Sequence, residues 1–281
     1  MSAKWNLLVD IGKCNGCYNC FISAKDEYVG NSAHGYFAPQ PSQGHAWIDV
    51  KLVERGTVPV TQASYLLRTC NHCDDAPCIK AALDGAITKR ADGIVIIDPV
   101  KAKGQRQIVD ACPYRAVWWN DELELPQAWP FDAHLLDQGW QKPRCVQVCA
   151  TGALRSLKIT DAEMANVATQ EGLQVLNPEL GTRPRIWYKN LARITSVFVA
   201  GTVEVDTGNR RDCLGGARVT LSSSDSIVAE CRTDEFGDFC LDGLVPDGET
   251  HTLMIETATT SFTQEVVLHK SCYVGRIVVL A

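Results

Sequence analysis

The sequence has no long hydrophobic run and no excess of positive charge. No apolar stretch in the 281 residues approaches the ~18 residues that a membrane-spanning helix needs. The formal net charge of −6 leaves no basic surface of the kind that binds nucleic acid or anionic membranes. The N-terminal residues MSAKWNLLVD contain too short an apolar segment for a secretory signal and no twin-arginine pair. We therefore expect a cytoplasmic protein with no membrane anchor and no nucleic-acid partner.

The sequence also lacks the usual signatures of a catalytic site. It contains no glycine-rich phosphate loop and no nucleophile–base pair, so we expect no catalytic residue on this chain. What it contains in excess is cysteine: 13 in total, nine of them between Cys14 and Cys149. In a reducing cytoplasm, closely spaced cysteines are metal ligands more often than disulfides. The chain is therefore predicted to bind metal.

The first cysteine motif places Cys14, Cys17 and Cys20 at the spacing C-x2-C-x2-C. The same spacing opens the bacterial ferredoxin run C-x2-C-x2-C-x3-C-P, in which three thiolates bind one [4Fe–4S] cluster and the fourth cysteine binds the other cluster. The fourth position here is Ala24. The triplet therefore needs a fourth ligand from elsewhere in the chain.

A second triplet, Cys70, Cys73 and Cys78, is followed by Ala82 at its fourth position. Further along, Cys112 stands before a proline and ends a ferredoxin frame whose first three cysteines are replaced. Because the fourth cysteine of such a run crosses to the other cluster, Cys112 completes the second triplet. The replaced positions of the frame are Ala102, Gln105 and Ile108.

The last pair of this region has the spacing Cys145-x3-Cys149, and Cys149 is the predicted fourth ligand of the first triplet. Zinc also uses C-x2-C pairs, but two triplets that are each completed by a distant cysteine favour iron–sulfur over zinc. We predict two [4Fe–4S] clusters. Their ligands are Cys14, Cys17, Cys20 and Cys149 (the first cysteine set) and Cys70, Cys73, Cys78 and Cys112 (the second cysteine set).

The fold is predicted as α+β. Residues 4–10 are expected to form a strand, the Asp92-Gly93 pair a hairpin turn, and TDAEMANVATQEG a helix that Thr160 caps. We predict a double ferredoxin-like iron–sulfur domain over 1–195. After it, seven short β-rich runs indicate an antiparallel β-sandwich of immunoglobulin-like or transthyretin-like type over 196–281. Its cysteines have no ligand spacing and are expected to be buried strand thiols: Cys213, Cys231, Cys240 and Cys272.

Beyond the cysteine frame, several segments carry a family resemblance, among them HAWIDVKLVERGT, DGIVIIDPVKAKG, CPYRAVWWN, AHLLD and NPELGTRPRIWYKNL. The chain resembles the iron–sulfur small subunits of molybdopterin oxidoreductases related to dimethyl sulfoxide reductase, and within them those of pyrogallol–phloroglucinol transhydroxylase and resorcinol hydroxylase. The resemblance implies a non-catalytic electron-transfer subunit. It also implies a large partner subunit that carries molybdenum bis-molybdopterin guanine dinucleotide and acts on polyphenols in anaerobic aromatic degradation.

The chain departs from this family at one place. The resemblance implies a third cluster, with a C-x2-C pair just before AHLLD, but Trp129 and Asp132 stand at those positions, and Ala24 lacks the thiol. We therefore expect two clusters rather than three, and Cys145 to be a packed, unreactive thiol. The alternative is a structural or assembly subunit whose clusters fasten loops and whose β-sandwich docks the catalytic subunit. A free-standing ferredoxin is a further alternative.

Overall fold

The computed structural model describes residues 2–224 and 226–280, which form mostly β-structure with few, short helices. The strands are β1 (Lys4–Asp10), β2 (Ile48–Thr57), β3 (Val60–Thr69), β4 (Ile87–Lys89), β5 (Val95–Ile97), β6 (Trp118–Asn120), β7 (Leu125–Gln127), β8 (Leu154–Ile159), β9 (Ile186–Lys189), β10 (Val197–Asp206), β11 (Arg211–Cys213), β12 (Arg218–Ser223), β13 (Ser226–Arg232), β14 (Asp238–Leu244), β15 (Thr250–Glu256), β16 (Ser261–Val267) and β17 (Cys272–Leu280). The helices are α1 (Asn19–Tyr28), α2 (Pro77–Ala81), α3 (Gln107–Asp110), α4 (Ala133–Asp137), α5 (Arg144–Gln147), α6 (Asp161–Glu171) and α7 (Ala192–Thr195), with a 3-10 turn over Pro178–Leu180.

The chain divides into two compact units. The first unit consists of residues 1–52 and 65–191, and the second unit of residues 53–64 and 192–281. The sequence places one boundary between 195 and 196, whereas the second unit also takes in 192–195 and the tip of the β2–β3 hairpin. The hairpin tip belongs there because Arg55 donates hydrogen bonds to Asp242 (2.9 Å) and to the carbonyl oxygen of Ser196 (3.0 Å). Such long-range bonds leave no trace in local sequence.

In the first unit, β1 is the central strand of a three-stranded sheet. It pairs antiparallel with β8 and parallel with β9, and every residue of β1 except its two ends is buried. A strand covered on both faces has a continuous hydrophobic run rather than an alternation. The strand predicted over 4–10 is confirmed.

Two further local predictions are confirmed in the first unit. β4 and β5 pair antiparallel around Gly93, which adopts a φ of 86° at the turn. Helix α6 begins after Thr160, whose side chain accepts from the backbone nitrogen of Glu163 while the Glu163 carboxylate bonds back to Thr160. It ends at Gly172, in the left-handed region. Both ends follow from side chains next to each other in sequence.

The second unit contains two four-stranded sheets, β11–β10–β14 with β17 beside β10, and β13–β12–β15–β16. Alternate residues of these strands point inward, and those of both sheets belong to one hydrophobic cluster. Fully buried members include Val219, Leu221, Leu253 and Ile255. The β-rich character is as predicted, while the immunoglobulin-like or transthyretin-like type and the double ferredoxin-like type of the first unit stay predictions.

The expectation that all four C-terminal cysteines are buried is wrong. Cys213 and Cys240 are exposed, and Cys231 and Cys272 are half-buried. Cys240 lies on the outward face of β14, because its neighbours Phe239 and Leu241 point into the core. Cysteine is hydrophobic enough that composition alone cannot assign it to a face.

In the part of the chain that the structure describes, no helix combines the length and the apolar character required to cross a membrane.

Candidate metal centres

The first cysteine set comes together from two distant segments of the first unit. Its four cysteines line one small cavity, although Cys149 lies far along the chain from the triplet. Cys14 and Cys17 occupy the loop between β1 and α1, where Gly16 has a φ of 68°, and Cys20 lies in the first turn of α1. A side chain at Gly16 would overlap the ring of Tyr65. The backbone nitrogen of Leu154 donates to Cys149 Sγ over 3.4 Å.

The thiols of the first cysteine set influence one another electrostatically. Burial raises the pKa of the Cys20 thiol to about 12, and the charges of the other three thiolates of the set add to this effect. Burial likewise raises the pKa of Cys14, again with a contribution from Cys149. The four sulfurs are therefore neighbours, and their joint ionisation calls for a positively charged partner.

The second cysteine set shows the same behaviour more strongly. Burial, followed by the charge of Cys78, raises the pKa of Cys70 well above its usual range, and Cys112 and Cys73 contribute as well. Burial and the charge of Cys112 raise the pKa of Cys78 to about 12. The backbone nitrogen of Ala116 donates to Cys112 Sγ over 3.5 Å. Cys112 thus joins the triplet that precedes it by more than thirty residues.

The donor chemistry of both sets fits an iron–sulfur cluster. A [4Fe–4S] cluster is held by four cysteine thiolates, and each set supplies four thiols. Among residues 2–224 and 226–280, no three His, Cys, Asp or Glu side chains are close enough to hold a single metal ion. Thiolates of a cluster bind separate irons, so they need not converge on one point.

The positions of the ferredoxin frame that lack a cysteine hold side chains that pack or form hydrogen bonds. Three of them, Ala82, Ala102 and Ile108, belong to or pack against one hydrophobic cluster. The fourth, Gln105, accepts a hydrogen bond of 2.8 Å from the backbone nitrogen of Leu83. Three of the four positions that would hold thiolates in a complete frame therefore contribute to a hydrophobic cluster instead.

Cys145 lies outside both sets, in a buried polar network. Its side chain is fully buried, and burial raises the pKa of its thiol well above the usual range. The neighbouring carboxylate of Asp132, only 2% exposed, accepts hydrogen bonds from Tyr28 Oη, Trp129 Nε1 and the backbone nitrogen of Arg144. The ring of Trp129 is fully buried. Cys145 is therefore a buried thiol next to a buried carboxylate.

His72, between two cysteines of the second set, is buried and neutral. Burial lowers the pKa of its imidazole to about 3, with the charge of Lys89 as the next cause. Its Nδ1 accepts from the backbone nitrogen of Val95 over 3.1 Å, so the remaining hydrogen lies on Nε2, which has no hydrogen-bond partner among the described residues. The ring packs edge-on against Trp129 and Phe131. The neutral imidazole adds no charge beside the cluster site.

Sequence reasoning missed the residues that hold the second cysteine loop in place. Lys89 Nζ donates to the carbonyl oxygens of His72 (2.6 Å) and Cys73 (3.0 Å) and pairs with Asp74 at 2.9 Å. Asp74 in turn receives two hydrogen bonds from the guanidinium of Arg185. These partners are distant in sequence and match no motif, so only the three-dimensional arrangement identifies them.

Comparison with known proteins places this chain in a family. Residues 61–158 match a family described as a 4Fe-4S dicluster domain. The chain is similar to the pyrogallol hydroxytransferase small subunit of Pelobacter acidigallici, with 39% identity over 268 residues that cover 94% of this chain and 95% of the relative.

Two further relatives match about two thirds of the chain. A tetrathionate reductase subunit of Salmonella typhimurium is 32% identical over 67% of this chain and 73% of its own length. A sulfite dehydrogenase subunit of Allochromatium vinosum is 29% identical over 65% of this chain and 81% of its own length. The predicted family is confirmed: the chain belongs to the iron–sulfur electron-transfer small subunits of the molybdopterin oxidoreductases, together with the pyrogallol hydroxytransferase small subunit.

Proposed function

We propose that this chain is the iron–sulfur small subunit of a molybdopterin-dependent polyphenol transhydroxylase or hydroxylase of the pyrogallol–phloroglucinol or resorcinol class. The observation that carries the proposal is the 39% identity to the pyrogallol hydroxytransferase small subunit over 94% of the chain. That match extends into the second unit, whereas the match to the tetrathionate reductase subunit covers 67% of the chain.

The eight cysteines of the two sets hold two [4Fe–4S] clusters. The first cluster has Cys14, Cys17, Cys20 and Cys149 as ligands, and the second has Cys70, Cys73, Cys78 and Cys112. A [4Fe–4S] cluster supplies one-electron transfer at a potential set by hydrogen bonds, local charge and burial. The assignment is supported by the shared cavity of the first set and by the mutual raising of thiol pKa values within each set.

The chain's own residues position these ligands. The backbone nitrogens of Leu154 and Ala116 donate to Cys149 Sγ and Cys112 Sγ, respectively. Hydrogen bonds to a ligand sulfur stabilise the more negative, reduced state of a cluster, which raises its potential. Lys89 donates hydrogen bonds to two carbonyl oxygens in the loop of the second triplet, and these bonds help to fix the positions of its thiols.

The catalytic step belongs to a large partner subunit that carries molybdenum bis-molybdopterin guanine dinucleotide. The complex is a cytoplasmic assembly of this chain and the catalytic subunit. The second unit has two four-stranded sheets and a hydrophobic core of its own. A docking role for it is the alternative function, in which the clusters only fasten loops.

Replacement of Cys17 by Ser separates the two functions. Cys17 is the exposed member of the first set, so the change affects one ligand with little effect on packing. Electron transfer predicts that the complex still assembles and that turnover of pyrogallol or resorcinol is lost. An assembly role predicts loss of the complex itself. Cys213→Ser, an exposed cysteine outside both sets, is the matched control and is expected to change neither. Full turnover in Cys17→Ser contradicts the proposal.

A further inference from the structure

A buried carboxylate connects the two segments that carry the first cysteine set. Asp132 is 2% exposed, and both of its oxygens accept hydrogen bonds. Oδ1 accepts from Tyr28 Oη and from Trp129 Nε1 (2.8 Å), and Oδ2 accepts from the backbone nitrogen of Arg144 (2.7 Å).

The hydrogen-bond donors around Asp132 favour its ionised form. The pKa of its carboxyl group is raised by burial, which outweighs the lowering by the same three donors and by the charge of His134. A carboxylate is acceptor-only, whereas a protonated acid has a hydrogen to donate. Each oxygen of Asp132 faces an N–H group that can only donate, from Trp129 at Oδ1 and from the backbone of Arg144 at Oδ2, and this arrangement favours the ionised carboxylate.

The cationic groups near Asp132 are engaged with other carboxylates. The guanidinium of Arg144 pairs with Asp26 and Glu27. The imidazole of His134 bonds to Glu27 over 2.8 Å. Asp132 is therefore stabilised by dipolar donors and not by an ion pair, so its negative charge acts on its surroundings without a directly bound counter-ion.

The hydrogen bonds of Asp132 connect the two segments that carry the first cysteine set. Tyr28 is the last residue of α1, the helix that contains Cys20. Arg144 is the first residue of α5, which leads to Cys149. Cys145 follows Arg144 in α5, and the pKa of its thiol is raised by burial and then by the charges of Asp132 and Cys20.

We propose that Asp132 is a positioning residue for the first cysteine set, and that its buried negative charge keeps the reduction potential of the cluster held there low. A fixed negative charge in a poorly solvated interior opposes the addition of an electron nearby. The inference rests on the proposed ligation of that cluster. It assigns a role to a residue that is neither a ligand nor a group in contact with substrate.

The test is a redox titration of the complete complex followed by electron paramagnetic resonance. Asp132→Asn removes the charge and nearly preserves the shape. It is expected to move the midpoint of the first cluster to more positive values with iron content unchanged. At a fixed potential, the reduced-to-oxidised ratio should rise on the order of tenfold, as expected when one nearby charge is removed at an effective dielectric constant of about 20. Cys17→Ser identifies which signal belongs to the first set.

Three variants serve as controls. Asp121→Asn removes a charge from a side chain that is 89% exposed, where water screens it, and should leave the midpoint unchanged. Trp129→Phe removes one hydrogen bond from the same carboxylate but keeps its charge, so its shift should be much smaller than that of Asp132→Asn. Asp132→Ser is a second neutral variant whose hydroxyl can accept from the backbone nitrogen of Arg144.

An unchanged midpoint in an iron-loaded Asp132→Asn complex overturns the inference. So does a shift of equal size in Trp129→Phe, because packing and not charge would then set the potential. Loss of iron in both neutral variants also overturns it and assigns Asp132 a role in folding alone. A wild-type complex without any signal that depends on Cys17 refutes the proposed ligation instead, whatever the Asp132 variants do.

Discussion

The two units of this chain are built in different ways. The second unit has strands of up to ten residues and one hydrophobic cluster to which both sheets contribute. Around its second cysteine loop, the first unit has helices of four or five residues, strands of three residues and a cluster of six buried residues, whereas α1, which carries Cys20, has ten residues. Side-chain burial is enough to order the second unit. The second cysteine loop of the first unit lies among these short elements, so we expect iron–sulfur clusters to provide part of the order of the cysteine loops.

Removal of iron should therefore give the largest difference in hydrogen-exchange protection between the two units. Without iron, the cysteine loops lose their common anchor, and buried thiols repel one another when ionised. We expect hydrogen exchange in the first unit to rise to nearly unprotected levels around Cys14 and Cys70, while β10 and β15 stay protected. Hydrogen exchange measured by mass spectrometry before and after chelation checks this. Equal protection in both states would mean that the first unit is ordered without its clusters.

Single cysteine replacements should also distinguish the two units, by a smaller change that is seen in the iron content. Cys73→Ser removes a buried ligand of the second set and is expected to lower the iron content by about four atoms per chain. Cys231→Ser, half-buried in the second unit, should change the iron content by nothing measurable. Iron and sulfide analysis of the purified variants measures this difference in iron content. Equal iron in both variants would remove Cys73 from the ligand set.

A core replacement in the second unit should lower the stability of that unit and leave the iron content unchanged. Leu253 is fully buried within the cluster shared by both sheets. Leu253→Ala should destabilise the second unit by about 2–5 kcal/mol through lost burial and the cavity left behind, with the iron content unaffected. Urea unfolding followed by far-ultraviolet circular dichroism measures the first effect. A loss of iron in this variant would show that the two modes of stabilisation are not separate.

The weakest effect that we expect concerns pH. Burial opposes ionisation of Asp242, but the hydrogen bonds from Arg55 outweigh it and lower its pKa below the usual 3.8. A lowered pKa in the folded state stabilises the fold above the unfolded value, and this contribution is lost as the pH falls through the folded value. Because Asp242 is 41% exposed, the loss should be about 1 kcal/mol or less.

The pH effect is read from hydrogen exchange in β14 between pH 7 and the acid range. Asp242→Asn is the matched variant, and its protection should show a weaker decrease on acidification than that of the wild type. Identical pH profiles in the two proteins would show that the Arg55–Asp242 pair contributes nothing in solution.

The features that could be predicted from sequence depend on neighbours along the chain. The capping box at Thr160, the turn at Gly93 and the strand β1 all follow from local patterns. The grouping of Cys149 with the first triplet was predictable because ferredoxin spacing determines which thiolate is missing. Such spacing rules reach across long distances only where the chemistry demands a fixed number of ligands.

The features that could not be predicted depend on contacts between distant side chains. Neither the hydrogen bonds of Asp132 nor those of Lys89 to the second cysteine loop correspond to a motif. The exposure of Cys240 was missed because a single residue does not reveal which face of a strand it occupies. The inclusion of 53–64 in the second unit depends on Arg55, whose partner Asp242 lies 187 residues away.

The proposed role of the first unit depends on two clusters held by eight cysteines, with no third cluster beside Cys145. Native mass spectrometry of this chain, released from the intact complex in the gas phase, counts its iron and sulfide directly. We expect the mass of the chain plus about eight irons and about eight sulfides, and an unchanged mass of bound cofactor in Cys145→Ser. A chain that carries about four or about twelve irons would contradict the two-cluster assignment.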